Sequence, residues 1–280
     1  MVRKTQYRVC DQKIPVLKAG LRDLKTLAVA FSGGVDSAFL LAVAAASGLE
    51  RLLAVTVDSA FVTREEIQRA RHLAQDMGVD HKIVAADILQ APLVKENSPE
   101  RCYHCKKMVF SLIKDAAAKA GIAHLIHGVN TDDLADFRPG MQAAVELGFG
   151  SPLLDAGFSK QQIRICSRQM GLSTWDLPAQ SCLATRIASG EPITAQALGK
   201  IEQAEALIKS LGFAHIRVRC HGSLARIETD EGSIKPMIAM RQDISAALKN
   251  LGFAFVSLDM DGYRTGNMNP CLPDKRAQQI

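Results

Sequence analysis

The sequence predicts a doubly wound parallel α/β sheet followed by a smaller α+β domain. Three observations predict it: short apolar runs alternate with helical patterns through the first two-thirds of the chain, those runs are mainly apolar through their length, and the pattern changes after about Gly190. A strand that is apolar throughout is buried on both faces, as in a parallel sheet covered by helices. The domains are accordingly placed at 1–190 and 191–280.

Taken in order, Ile14, Leu17, Leu21 and Leu24 recur at three- and four-residue steps and predict an amphipathic entry helix. Leu27–Phe31 reads as the first strand, followed by a glycine turn and an apolar helix over Asp36–Ala46. Leu52–Val57 is the second strand, Thr63–Met77 a helix closed by Gly78, and His81–Ala85 the third strand. A loop with Pro92, Asn97, Ser98 and Pro99 leads to a helix over Tyr103–Ala120. His124–Gly128 is a fourth strand and Ser151–Leu154 a short fifth.

Beyond Gly190, a helix over Ala195–Leu211 precedes strands His215–Cys220 and Leu224–Thr229, joined by a turn at His221-Gly222-Ser223. A helix over Ile234–Leu251 and a strand over Ala254–Leu258 complete the set. The segments from Lys209 and from Lys249, 40 residues apart, echo each other as helix end, Gly stop and strand start. We expect a duplicated unit in an antiparallel sheet with helices on one face.

Composition narrows the function classes. Hydrophobic residues make up 48% of the 280, enough for a buried core and too many for a disordered chain. An odd count of seven cysteines is not that of a secreted disulfide scaffold, so reduced thiols and a cytoplasmic location are expected. The N-terminal residues carry no signal-like apolar core, and Ala38–Ala46 is too short to span a bilayer, so no membrane partner is expected. A net charge of +5 permits an anionic ligand without demanding one. With one Trp, three Tyr and no long basic run, nucleic acid is not the expected partner.

Ser32-Gly33-Gly34-Val35-Asp36-Ser37 falls between the first strand and the next helix. Glycines let backbone N–H groups approach an anion, the helix N-terminus adds unpaired donors, and the Ser32 and Ser37 hydroxyls can donate as well. No Lys follows, which excludes a Walker A loop, and the spacing is not that of a dinucleotide fingerprint. The string resembles the SGGxDS loop of the ATP pyrophosphatase (PP-loop) superfamily, with its adenine nucleotide alpha hydrolase-like fold. That resemblance implies a loop that grips the β- and γ-phosphates of ATP and releases pyrophosphate. It also implies an adenine pocket bordered by Asp58 and Ser59, where an ordinary strand-end turn is the alternative. Gly128, Asn130, Asp132 and Asp133 then fall where the α-phosphate and Mg2+ are expected, although these Asp residues can equally cap the next helix.

Cys102 and Cys105 form a C-x-x-C at a helix start, flanked by Arg101, Lys106 and Lys107; Cys182 lies far along the chain in Pro178-Ala-Gln-Ser-Cys-Leu-Ala. Three thiolates can hold three corners of an iron–sulfur cluster, leaving the fourth for an exogenous sulfur. Zinc, a redox pair and two buried thiols are the alternatives for the C-x-x-C. Cys10, Cys166, Cys220 and Cys271 read as surface or core thiols. Arg217 and Arg219 alternate along one strand and point the same way, as a phosphate clamp or a solvated basic face. Arg186 and Glu205 are further candidates near that site.

The combination SGGVDSAFL, NSPERCYHCK, HGVNTDD with DFRPG, PAQSCLATRI, IRVRCHGSLARIE and LDMDGYRTGNMN resembles the LarE family over nearly the whole chain. The resemblance implies ATP-dependent adenylation of a carboxylate on a pyridinium dicarboxylate mononucleotide, after which sulfur replaces AMP to give a thiocarboxylate. The product serves the nickel-pincer nucleotide cofactor of lactate racemase. It further implies a sulfur donor, a homo-oligomer, and substrate-phosphate recognition at Arg217 and Arg219. In single-cysteine members the residue at Cys182 gives up its own sulfur; three-cysteine members hold a 4Fe-4S cluster carrying an extra sulfide. The C-x-x-C here favours the cluster route. A PP-loop tRNA 2-thiolation enzyme is the main alternative, and a non-catalytic ATP-binding or iron–sulfur carrier a more distant one.

Overall fold

The structure is a computed structural model, which describes residues 2–135, 139–178 and 180–264, with side chains for residues 9–134, 140–178 and 180–264. The chain divides into two compact units, Met1–Ile88 with Cys102–Gln180, and Leu89–Arg101 with Ser181–Ile280. The division thus falls at Gln180, ten residues before the expected position, and an excursion from the first half joins the second unit. Backbone bonds explain the excursion: Gly190 N donates to Asn97 O at 3.0 Å and Ile193 N to Lys95 O at 2.7 Å.

The first unit begins with α1 (Val2–Arg22), β1 (Thr26–Ala30) and α2 (Val35–Ala45). Next come β2 (Arg51–Asp58), α3 (Arg64–Asp76) and β3 (Asp80–Ala85). A short helix α4 (Pro92–Lys95) lies in the excursion, and α5 (Arg101–Lys119) leads back to β4 (His124–Ile126). The unit ends with α6 (Pro139–Glu146), β5 (Phe149–Gly150), α7 (Pro152–Asp155) and α8 (Lys160–Gln169). The five strands are parallel in the order β3-β2-β1-β4-β5. One apolar cluster gathers α1, α2, α8 and part of α3 through Leu21, Phe39, Leu41, Phe158 and Ile163; another gathers α5 and α6 with the strands through Val55, Phe110, Ala117 and Phe149. Helices on both faces confirm the doubly wound architecture. Strand order reverses between β1 and β4, and ligands of such sheets bind beyond the strand ends at that point.

One strand moved. The expected Ser151–Leu154 is α7, and the fifth strand is Phe149–Gly150. Pro152 explains the shift, since it has no N–H for a ladder and its fixed φ suits a first helical position.

The second unit contains α9 (Ala195–Ser210), β6 (Ile216–His221), β7 (Leu224–Thr229), α10 (Glu231–Ala239), α11 (Arg241–Asn250) and β8 (Phe255–Leu258). β6 and β7 are antiparallel, but β7 and β8 run parallel, so the sheet is mixed rather than antiparallel. The crossover through α10 and α11 permits this. The helix expected over Ile234–Leu251 is two, because Met240 leaves helical geometry at φ −92°, ψ 15°, one turn after Pro236. Among the described residues, no helix is long and apolar enough to cross a membrane.

Cys10 and Cys166 correct a sequence expectation. They form a disulfide between α1 and α8, with Cα atoms 5.5 Å apart, and both are buried. Cys271 lies outside the described residues.

Candidate active site

β1 ends against the phosphate loop. α2 starts at Val35 with Gly34 as its N-cap and no side-chain cap, so its first N–H groups face outward for an anion. Gly33 adopts φ +70°, and a Cβ there would sit 3.1 Å from the backbone of Ala70, so the loop needs glycine twice over. Ser32 and Ser37 hydroxyls lie 3.1 Å apart, and Ser37 Oγ donates to Gly34 O at 3.2 Å. After β4, Gly128 packs on the same turn: a Cβ would come within 3.1 Å of the Asp36 carbonyl carbon and the Ser37 nitrogen.

A cavity of about 440 Å³ opens above the loop. Ser32, Gly34, Asp36, Ser37, Gly128 and Asp133 line it, together with Cys102, Lys106, His127 and Gln180. The expected phosphate-loop residues and Gly128 are therefore brought together, and Cys102 joins them. Gly33 supports the loop from beneath. Asp58 stands apart from this lining, with its carboxylate held by Arg64 at 2.9 and 2.5 Å. That bond keeps its carboxyl below the usual range.

Burial pushes the Asp36 carboxyl up, against the pull of Lys160, which pairs with its Oδ2. Its Oδ1 is buried with no hydrogen-bond partner, and the charge of Asp133 adds to the upward push. An orphaned carboxylate oxygen beside a second carboxylate fits Mg2+, which takes one or two carboxylates plus phosphate oxygens. Asp132 is exposed and occupied elsewhere, accepting from Lys160 N at 3.1 Å, while its own N donates to Asn130 Oδ1 at 3.0 Å. Asp133 Oδ2 accepts from Asn130 N at 3.0 Å, and Asp133 alone of the two lines the cavity.

Sequence reasoning did not single out Lys160, His127 or Gln180, and it marked Lys106 only as a cation beside the C-x-x-C. No local pattern marks Lys160, which comes from 124 residues away. His127 precedes Gly128 in the strand-end motif; burial, with Lys106 nearby, lowers its pKa to about 4. It is neutral at pH 7 and shares a 3.0 Å hydrogen bond with Ser151.

Of the cysteines, Cys102 and Cys105 lie partly exposed in the first two turns of α5 and Cys182 is exposed, none of the three in a disulfide. Cys220 is buried, which pushes its thiol pKa up. Among the described residues, neither unit by itself contains three or more His, Cys, Asp or Glu grouped to hold a metal ion.

In the second unit the arginines look different from a free clamp. Arg219 is buried and donates through Nε and Nη2 to Glu228 Oε2 at 2.9 and 2.6 Å, and through Nη1 to Thr185 O at 3.0 Å. Arg186 forks onto Glu205 at 2.9 and 3.1 Å, while its Nη1 donates to Ser181 O at 2.6 Å and Cys182 O at 3.1 Å. Glu205 also accepts from Val218 N at 3.0 Å. Arg186 therefore braces the Cys182 loop, its guanidinium already engaged on both sides. Arg217 stacks over Tyr263 at 5.4 Å and donates to Ile216 O at 2.8 Å. Burial lowers its pKa.

Comparison with known proteins agrees with this geometry. Residues 26–172 match the QueC family, described as queuosine biosynthesis protein QueC, a span that holds all five strands of the parallel sheet. Over 261 residues the chain is 36% identical to the pyridinium-3,5-bisthiocarboxylic acid mononucleotide synthase of Lactiplantibacillus plantarum, covering 93% of this chain and 95% of that protein. It is also 36% identical over 267 residues to an uncharacterized protein of Synechocystis sp., covering 94% and 98%. A further uncharacterized protein, from Methanocaldococcus jannaschii, is 29% identical over 257 residues, covering 91% and 98%. Spanning both units as the first relative does, the chain belongs to the PP-loop ATP pyrophosphatases and, within them, to the LarE family of ATP-dependent sulfur transferases.

Proposed function

We propose that this enzyme adenylates a carboxylate of a pyridinium dicarboxylate mononucleotide and converts it to a thiocarboxylate, in the making of the nickel-pincer nucleotide. The relative named for the bisthiocarboxylic acid mononucleotide supports the substrate class. One observation supports the sulfur route: with Cys10 paired to Cys166 and Cys220 buried, Cys102, Cys105 and Cys182 are the cysteines among the described residues that are neither buried nor in a disulfide.

A carboxylate is a poor electrophile because its leaving group would be oxide. In the first step its oxygen attacks the α-phosphorus of ATP, the bond to the bridging oxygen breaks, and pyrophosphate leaves. The N–H groups of α2 and the Ser32 and Ser37 hydroxyls would hold the departing phosphates. Asp36 and Asp133 would hold Mg2+, which supplies charge neutralisation at the phosphates. AMP is then the leaving group when sulfur attacks the acyl carbon. Cys102, Cys105 and Cys182 would hold a 4Fe-4S cluster, which when bound supplies a transferable sulfide. Arg217 remains the candidate for the substrate phosphate.

Iron, sulfide and intact-mass analysis before and after turnover, free of oxygen, tests this. Iron and sulfide should be bound, and be lost in Cys102→Ala, Cys105→Ala and Cys182→Ala but kept in Cys166→Ala. An iron-free protein whose mass falls by one hydrogen sulfide per turnover would overturn the cluster and leave Cys182 as a sacrificial donor.

A further inference from the structure

One side chain of the first unit touches both the phosphate loop and the segment that leads to Cys182. Arg69, in α3, has a side chain only 16% exposed. Its Nε donates to Gly33 O at 3.3 Å and its Nη2 to Gln180 Oε1 at 2.6 Å, while Nη1 meets Glu65 at 3.4 Å. The placement follows from the loop: Gly33 seats without a Cβ on the backbone of Ala70, the residue next to Arg69. Gln180 lines the nucleotide cavity and is the last residue of its unit. Cys182 follows two residues later, a span of at most about 7 Å of extended chain.

Other cations near this segment are committed elsewhere. Lys160 pairs with Asp36. Arg164 donates to Trp175 O at 2.8 Å and Leu177 O at 2.5 Å, which anchors the start of the segment without reaching the loop. Only Arg69 among these three bonds to both the loop and the segment.

We infer that Arg69 is a positioning residue that couples occupancy of the phosphate loop to the ordering of the Cys182-bearing segment. This rests on the sulfur-delivering role proposed for Cys182. Phosphates that fix the loop fix the Gly33 carbonyl, hence the guanidinium, hence Gln180. The coupling is reciprocal, so an ordered segment favours nucleotide in the same measure. Coupling of this kind lets the sulfur-bearing chain settle once ATP is in place.

Hydrogen exchange of the peptide from Trp175 to Thr185 in the full-length holoenzyme, with and without saturating ATP and Mg2+, tests it. ATP should slow exchange about tenfold, within the range of typical site couplings. In Arg69→Met and Gln180→Met the slowing should fall below about twofold, while Gln180→Glu, which keeps an acceptor for Arg69, should restore it. Gln180 is exposed, so its variants test the link even where Arg69→Met disturbs α3. Equal slowing in wild type and both Met variants, or none in wild type, overturns the inference. Exchange needs neither acceptor nor sulfur transfer. A chain with Arg69-dependent slowing that forms no thiocarboxylate would therefore sink the proposed function and leave the coupling standing.

Discussion

The two units treat buried charge in opposite ways. In the first, Asp36 keeps one buried carboxylate oxygen without a partner, and burial raises its pKa despite Lys160. In the second, Glu228 takes Arg219 on one oxygen at 2.6 Å and Arg226 on the other at 3.0 Å, and Glu205 takes Arg186 on both. Buried polar groups are normally satisfied, so an exception marks a place that awaits a ligand, and closed pairs mark a scaffold. The difference teaches that the nucleotide end is left open by construction, while the second unit positions the Cys182 loop with charge it has already balanced.

The largest effect should come from closing the open end. Asp36→Asn keeps the shape and removes the charge that would hold Mg2+. ATP-dependent pyrophosphate release should fall by about 100-fold or more. The melting temperature should hold or rise, because a strained buried charge is gone. A loss of stability together with activity would show that Asp36 is structural and break the comparison.

The second unit should answer in reverse. Glu228→Gln leaves two guanidinium groups short of a buried counter-charge, and breaking such a pair costs about 3–5 kcal/mol in denaturant unfolding. The paired change Arg219→Met with Glu228→Leu should recover most of that. A paired variant that is stable yet unable to bind the mononucleotide would return Arg219 to the substrate and sharpen where the scaffold ends.

How much of this was legible follows the same divide. The phosphate loop, Gly128 and the parallel sheet were legible because each is fixed by local chemistry: glycines that a Cβ would obstruct, and central strands with apolar, buried middles. Pro152, which moved β5, carried a local signal that the apolar run around it masked. The engagement of Arg219 and Arg186 was not legible, since a guanidinium's partner lies across a sheet or on another helix and spacing alone cannot tell a clamp from an ion pair. Lys160 and the Cys10–Cys166 bridge were hidden for the same reason, with separations of 124 and 156 residues.

A third test uses pH on the open side. His127 has its pKa lowered to about 4 by burial first and by Lys106 second. The unfolded chain takes up the proton near 6.5, the native one not until about 4, so the unfolded state binds more protons between those values. Its contribution is complete above pH 6.5 and is lost as pH falls through about 4, amounting to about 3 kcal/mol. His127→Gln, which can still bond to Ser151, should flatten that part of the stability profile in urea unfolding at pH 7 and 4.5. An unchanged slope would place the titrating group elsewhere and remove His127 from the cavity's uncharged wall.

The smallest effect belongs to a closed group within the open unit. Thr63 Oγ1 accepts from Glu66 N at 3.1 Å while Glu66 Oε2 accepts from Thr63 N at 2.8 Å, a capping box that starts α3. Thr63→Ala should cost about 1 kcal/mol of stability. Yet Gly33 seats on Ala70, seven residues or about two turns further along the helix, where the interior bonds of α3 do not depend on the cap. The KM for ATP should therefore change by less than about twofold, a small end-fraying effect well below the cost of losing the cap. Should ATP binding weaken tenfold instead, the seat of the phosphate loop is held by the helix end. Open and closed groups would then be parts of one device, and the contrast between the units would have to be redrawn inside the first.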